Sequence, residues 1–156
     1  MEPDAPEEHD TAMARNGAPG GGAFVVAGLG ASAGGVEALE AFFAGLPEVD
    51  GVAFVVVLHL APDEESSLAD VLQGGLPLPV VQVTEAVTIE PGHVYVIPPS
   101  KNLLAADGRL VLEPIEEERV RRRPIDRFFR TLAQAYGEHA VGVVLSGTGA
   151  NGTVGV

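Results

Sequence analysis

The sequence contains no cysteine, and its 156 residues include nine lysines and arginines against 22 aspartates and glutamates. Without cysteine, a disulfide, a thiolate nucleophile and a cysteine-based metal site are excluded. The formal net charge of -13 argues against nucleic acid or an anionic membrane surface as a partner. No apolar run approaches the roughly 18 residues of a membrane span, and the acidic N-terminus is unlike a signal peptide. We therefore predict a cytoplasmic protein that does not insert into a membrane.

The composition otherwise indicates one globular domain behind a polar lead-in. Hydrophobic residues make up 46% of the chain, and this length is enough to bury a core. Residues 1–22 mix acid, proline, alanine and glycine with almost nothing apolar, which predicts a disordered segment. We expect the folded domain to span residues 23–156.

Strand-like and helix-like segments alternate along that domain. Short, continuously apolar runs predict buried strands at 23–29, 52–58, 79–83, 93–97 and 140–145. Helical spacing of apolar residues and turn signals predict helices at 34–46, 64–75 and 124–137, and a β-hairpin over 102–113 that turns on Asp107 and Gly108. Repeated β-α alternation predicts an α/β fold: a doubly wound, mostly parallel sheet with helices on both faces.

The segment GLGASAGG opens the first predicted helix and fits two templates of active-site loop. Gly28, Gly30 and Ala33 match the G-x-G-x-x-G/A phosphate loop of dinucleotide-binding domains. Gly30, Ser32 and Gly34 match the G-x-S-x-G elbow, in which small neighbours let a sharp strand-to-helix turn expose a serine hydroxyl. Each match is weak by itself, because glycine-rich turns between strands and helices are often only structural.

The end of the second strand favours the serine template. A dinucleotide site needs an acidic residue there to hold the ribose hydroxyls, but the strand is followed by His59, and the nearest acid, Asp63, lies further on. A histidine at this place can act as a general base toward a serine at the end of the adjacent strand. Both would lie at the carboxyl edge of the sheet, where open α/β folds place their sites.

A third loop, SGTGANG, follows the last predicted strand and reaches the same edge. A Ser–His pair needs an acceptor for the second imidazole nitrogen, and in this loop Asn151 offers only an amide. The order Ser, His, Asn differs from the Ser, acid, His order of α/β-hydrolases. His93 and His139 occur at predicted strand starts, the opposite edge, so we interpret them as surface or structural residues.

Five segments together resemble the catalytic domain of chemotaxis protein-glutamate methylesterases, the CheB type, and most resemble the form fused to a CheR-type methyltransferase. They are GLGASAGGVEAL, FVVVLHLAPDEESSLADVL, EPGHVYVIPPSKNLLAADGRLVL, PIDRFFRTLA and GVVLSGTGANGTVG. The resemblance runs from about Phe24 to Val156. It implies hydrolysis of glutamate methyl esters on chemoreceptor helices, often with glutamine deamidation, by a Ser-His-Asp triad on a doubly wound parallel sheet. We expect no cofactor and no metal.

Position by position, the resemblance makes Ser32 the nucleophile and His59 the general base. Asn151 stands where the family motif SG(T/M)GxDG places its aspartate. We expect the backbone N–H of Ala33 and one from the turn at Thr148 to stabilise the oxyanion.

Two departures from the family pattern change the expectation. An amide at residue 151 brings no charge to stabilise imidazolium, so we expect an impaired esterase. The family domain continues beyond the SGTGANG loop, so we expect the fold to be incomplete at the C-terminus. The alternative hypotheses are an inactive module of the same fold that binds a receptor or partner, and, third, a nucleotide-binding domain. The expected partners are chemoreceptor helices and a fused or associated methyltransferase.

Overall fold

The computed structural model describes residues 23–31, 35–47, 50–58, 68–99, 101–114 and 123–145. Its strands are β1 (Val25–Ala31), β2 (Val52–Leu58), β3 (Val80–Gln82), β4 (Val87–Thr88), β5 (Val94–Val96), β6 (Lys101–Ala106), β7 (Arg109–Pro114) and β8 (Ala140–Val144). Its helices are α1 (Val36–Ala44), α2 (Leu68–Gly75), α3 (Pro124–Tyr136) and a 3₁₀ turn (Gly137–His139). Within these residues, no helix has both the length and the apolar character needed to cross a membrane.

Five parallel strands form the main sheet in the order β3-β5-β2-β1-β8. From β1 the chain moves outward through β2, and it later returns to the other side of β1 as β8. The direction of winding therefore reverses between β1 and β8, which makes the carboxyl ends of these two strands the topological switch point of the sheet.

The two faces of the sheet bury separate apolar cores. On one face, α1 and α2 cover side chains such as Leu29 and Val56, and the ring of Phe43 packs edge-to-face on Phe54 with centroids 5.4 Å apart. On the other face, α3 and a small antiparallel sheet of order β4-β7-β6 share a core that includes Phe128. The predicted doubly wound architecture with helices on both faces is confirmed.

The small sheet contains the predicted hairpin. Asp107 and Gly108 connect β6 to β7 with φ angles of 54° and 76°, the left-handed values that a two-residue type I′ turn requires. Strand β4, which pairs with β7 through Val87 and Thr88, was not predicted. Two residues are too few to show an alternating pattern, so this strand is specified by its tertiary contacts.

Glycines bring α3 unusually close to the main sheet. A Cβ at Gly28 would lie 3.1 Å from the rings of Phe128 and Phe129, and one at Gly30 would lie 2.5 Å from Ile125 Cγ2. The predicted strand 23–29 therefore ends two residues too early, and Gly30, which was placed in the turn after it, belongs to the strand. Both glycines lie inside β1, which continues to Ala31, because a bare backbone at these positions leaves the space that the α3 side chains fill.

Side-chain hydrogen bonds fix α3 to the small sheet along its length. Thr131 Oγ1 accepts a hydrogen bond from the backbone N–H of Ala105 at 3.0 Å. The guanidinium of Arg127 donates two hydrogen bonds, each 2.8 Å long, to the carboxylate of Glu113. At the first turn, the buried Asp126 accepts a hydrogen bond of 3.2 Å from Arg123. The first two contacts hold α3 against the small sheet, and the third lies within the start of the helix.

We predict that Gly30→Ala lowers the free energy of unfolding by about 1–3 kcal/mol, because the added methyl overlaps Ile125 Cγ2. Chemical denaturation measures the change. Gly74→Ala is the matched control: Gly74 lies in α2 with no atom within 4 Å of an added Cβ. Removing its backbone freedom should stabilise the chain by about 0.5–1 kcal/mol.

The double variant Gly30→Ala/Ile125→Ala sharpens this test. Ile125→Ala removes the methyl that the new Cβ would meet, so the two substitutions should cost less together than the sum of their separate effects. Strictly additive costs, or equal responses to Gly30→Ala and Gly74→Ala, would contradict the proposed steric conflict.

The two hydrogen bonds between Arg127 and Glu113 predict that the stability of the fold depends on pH. They lower the pKa of Glu113 below the ordinary value of 4.5. A lowered pKa in the folded state stabilises the fold above the unfolded pKa, and this stability is lost as the pH falls through the folded pKa. Glu113→Gln should therefore destabilise at neutral pH, by less than about 1 kcal/mol because both side chains are partly exposed.

The measurement is denaturation of the wild type and Glu113→Gln between neutral pH and the acid limit, with the exposed Glu138→Gln as control. The control corrects for removing one negative charge from an acidic protein. Relative to Glu138→Gln, the loss in free energy of unfolding caused by Glu113→Gln should be constant around neutral pH and become smaller at acid pH. A cost that grows on acidification would contradict the ion pair.

Candidate active site

Three strand ends meet at the carboxyl edge of the main sheet. Ala31, the last residue of β1, is in register with Leu58, the last residue of β2. On the other side, Gly30 is in register with Val144, and the N–H of Leu145 donates a 2.8 Å hydrogen bond to Gly30 O. Neighbouring strands lie about 4.8 Å apart, so the segments that follow β2, β1 and β8 start within about 10 Å of one another.

The predicted catalytic residues follow these strand ends in the sequence. Ser32 is the residue after β1, His59 is the residue after β2, and the loop with Thr148 and Asn151 comes after Leu145. Ser32, Ala33, His59, Thr148 and Asn151 all lie outside the described residues. The structure thus brings together the strands that carry the predicted site, whereas the arrangement of its side chains stays a prediction.

The framework beneath this edge is rigid and dry. The side chains of Ala31 and Leu58 are buried, 1% and 2% exposed, and Val26 to Gly30 of β1 are paired with a strand on each side. On the other face, Ile125 in the first turn of α3 contacts Gly30. A framework of this kind can hold loop residues within the tolerance that nucleophilic catalysis needs.

A charged cluster at the start of α3 was not identified from the sequence. Asp126 is 2% exposed and pairs with Arg123, and Arg127 and Arg130 lie on the same side of the helix. The signal was present in the spacing of these three arginines at i, i+4 and i+7. It was hidden because the adjoining loop is rich in both glutamate and arginine.

The two late histidines lie at the amino edge, as predicted. His93 immediately precedes β5, its Nδ1 is 3.2 Å from Pro91 O, and its ring stacks on Tyr95. His139 ends the 3₁₀ turn before β8. Neither can reach the strand ends that precede Ser32 and residue 146.

The alternative of a dinucleotide site loses its main support in this fold. The phosphate-loop template requires glycines in the turn after the strand, whereas Gly28 and Gly30 lie within β1. Among the described residues, no three His, Asp or Glu side chains lie close enough together to hold a metal ion.

Known proteins match this chain over most of its length. The family model described as CheB methylesterase matches residues 27–156. A protein-glutamate methylesterase/protein-glutamine glutaminase of Myxococcus xanthus is 34% identical over 90% of the chain, and one of Paraburkholderia xenovorans is 35% identical over 82%. The chain spans 44% and 36% of the lengths of these two relatives.

A solved structure agrees with the sequence comparisons. The crystal structure of the Thermotoga maritima CheB methylesterase catalytic domain superposes with a TM-score of 0.73 and 28% sequence identity. The superposition covers 86% of this chain and 73% of that domain. With the family model matched from β1 to the last residue, the chain belongs to the CheB methylesterase family.

Proposed function

We propose that this chain is the catalytic part of a protein-glutamate methylesterase acting in bacterial chemotaxis. The observation that supports this most is the meeting of the β2, β1 and β8 carboxyl ends at the topological switch point. The residues that follow these ends include the nucleophile, base and acceptor types that ester hydrolysis needs. The substrates would be the methylated cytoplasmic helices of chemoreceptors.

The proposed reaction has two steps. Ser32 Oγ attacks the ester carbonyl carbon while His59 takes its proton, and the backbone N–H groups of Ala33 and Thr148 stabilise the oxyanion. The C–O bond to the methoxy group then breaks, and methanol leaves with the proton from His59. Water attacks the acyl-enzyme with His59 again as base, which releases the glutamate side chain and restores Ser32. A glutamine side chain would follow the same route with ammonia as the leaving group.

Asn151 limits this reaction in the proposed mechanism. Its carbonyl oxygen can accept a hydrogen bond from the imidazole of His59, but it adds no negative charge to stabilise imidazolium. The histidine tautomer that an amide selects is also less suited to a general base. We therefore propose a slow esterase.

The second candidate function follows from the same residue. If Asn151 reduces turnover to background, the chain is an inactive module of the same fold that binds a receptor, or a methyltransferase that is fused or associated. The two candidates differ in methanol release, which depends on Ser32 only in the first.

We predict that Asn151→Asp raises kcat for methanol release from methylated receptor by up to about 10⁴-fold, the cost of the reverse change in a serine protease triad. Ser32→Ala should reduce release to background in both the wild-type and the Asn151→Asp chains. Release of methanol from receptor labelled on its methyl esters is the measurement.

Each result separates the candidates. Wild-type release above the Ser32→Ala background supports the slow esterase. Wild-type release at background with activity in Asn151→Asp supports the inactive module that retains the site. Release that survives Ser32→Ala, or no gain in Asn151→Asp, contradicts the assignment of Ser32 or Asn151.

A further inference from the structure

Three arginines form a stripe that starts at the residue before α3 and continues on the outer face of the helix. Arg123, Arg127 and Arg130, here called the arginine stripe, follow one another at i, i+4 and i+7 and are all exposed. The opposite face of the helix buries apolar side chains such as Phe128 and Leu132 in the core. The stripe therefore faces solvent, and two of its members, Arg123 and Arg127, also make structural contacts with Asp126 and Glu113.

The stripe is locally basic in an acidic protein. The chain carries a formal charge of -13, yet three of the five lysines and arginines in the described residues belong to the stripe. A groove of about 330 Å³ runs beside it, and its lining residues are Arg123, Asp126, Arg127, Arg130, Thr131 and Gln134. The one acid in this lining, Asp126, is 2% exposed, so guanidinium groups dominate what the groove presents to solvent.

The three arginines differ in their engagement with neighbouring acids. Arg123 pairs with Asp126 at 3.2 Å, and Arg127 holds Glu113 at 2.8 Å. Arg130, which also lines the groove, forms no ion pair with any other described residue. A guanidinium offers five donors in a planar fork that fits a carboxylate, so Arg130 can bind a carboxylate from another molecule.

The stripe begins at the edge where the candidate site lies. Ile125 contacts Gly30 near the end of β1, while Tyr136 at the other end of α3 packs near Phe24, with ring centroids 6.3 Å apart. The axis of α3 thus runs from the carboxyl edge toward the amino edge. From Arg123 to Arg130 it extends about 10 Å, leading away from the strand end that precedes Ser32.

We propose that the arginine stripe is a docking surface for a glutamate-bearing helix of the substrate protein. Carboxylates at i, i+4 and i+7 on such a helix match the spacing of the three arginines, and the groove lies beside them. The inference rests on the proposed function, because the stripe would bind free glutamates that lie near the glutamate methyl ester being hydrolysed. The remainder of a -13 protein would repel that partner, so binding depends on this local charge.

Direct binding tests the proposal without any turnover. The probe is a fluorescein-labelled helical peptide with glutamates at i, i+4 and i+7, and its partner is a peptide of identical composition with the three glutamates spread around the helix. Fluorescence anisotropy with the full 156-residue chain at low ionic strength should show a preference of roughly fivefold for the aligned peptide, as expected for a few exposed ion pairs.

Charge reversal identifies the residues responsible. Arg130→Glu should abolish the preference, whereas Arg109→Glu, which makes the same change on the exposed start of β7, should preserve it. Thermal melting checks that both variants fold, and Arg130→Gln replaces Arg130→Glu if charge reversal lowers stability.

Three outcomes would overturn the proposal. The first is equal affinity for the two peptides, and the second is an equal loss of the preference in Arg109→Glu and Arg130→Glu. The third is a polyanion such as heparin that binds as tightly as the aligned peptide and loses as much affinity in Arg130→Glu. Since the peptides carry no methyl ester, failure here leaves the Ser32-dependent release of methanol untouched. Loss of that release would in turn leave the peptide preference intact.

Discussion

The close contact between α3 and the glycines of β1 sets the geometry of the whole carboxyl edge. Ile125 occupies the space where a side chain at Gly30 would be, so the helix lies directly on the backbone of the strand. Because β1 is bonded to both β2 and β8, fixing it also fixes the ends of its neighbours. The loops after these strands therefore start from a framework with little freedom to shift.

The contact also connects the two proposals about function. On its inner side, α3 supports the strand that leads to Ser32. On its outer side, the same helix carries the arginine stripe. Only α3, with its side chains packed on β1, would separate a substrate helix bound along the stripe from the strand that precedes the nucleophile. Recognition of the glutamate-rich partner and attack on its ester would then depend on one rigid element.

Most of the fold could be predicted from the sequence, because its signals are local. The apolar run 52–58 became β2 without change, and Asp107–Gly108 formed the predicted turn because both residues accept positive φ. β1 was placed too early because glycine was interpreted as a sign of a turn. Gly28 and Gly30 instead leave room for side chains of a helix almost 100 residues later in the chain. No local sequence pattern indicates that contact.

The candidate site was predicted to the level of its strand ends and not beyond. The order of strands at the switch point follows from β-α alternation, and the family likeness supplies roles for Ser32, His59 and Asn151. The arginine stripe was not predicted, because the adjoining loop is rich in both glutamate and arginine and hides the i, i+4 and i+7 spacing. The fold adds that Asp126 is buried while Arg123, Arg127 and Arg130 are exposed.

The glycine contact also constrains how this protein can evolve, and it does so in one direction. Ile125 can be exchanged for a smaller residue at the cost of a cavity, whereas a side chain at Gly30 overlaps Ile125 unless residue 125 has become smaller first. Substitutions at this contact are therefore tolerated more easily in one order, with position 125 changed before position 30. A chain that keeps a bulky residue at position 125 is under pressure to keep glycine at position 30, whatever becomes of the chemistry at the strand ends.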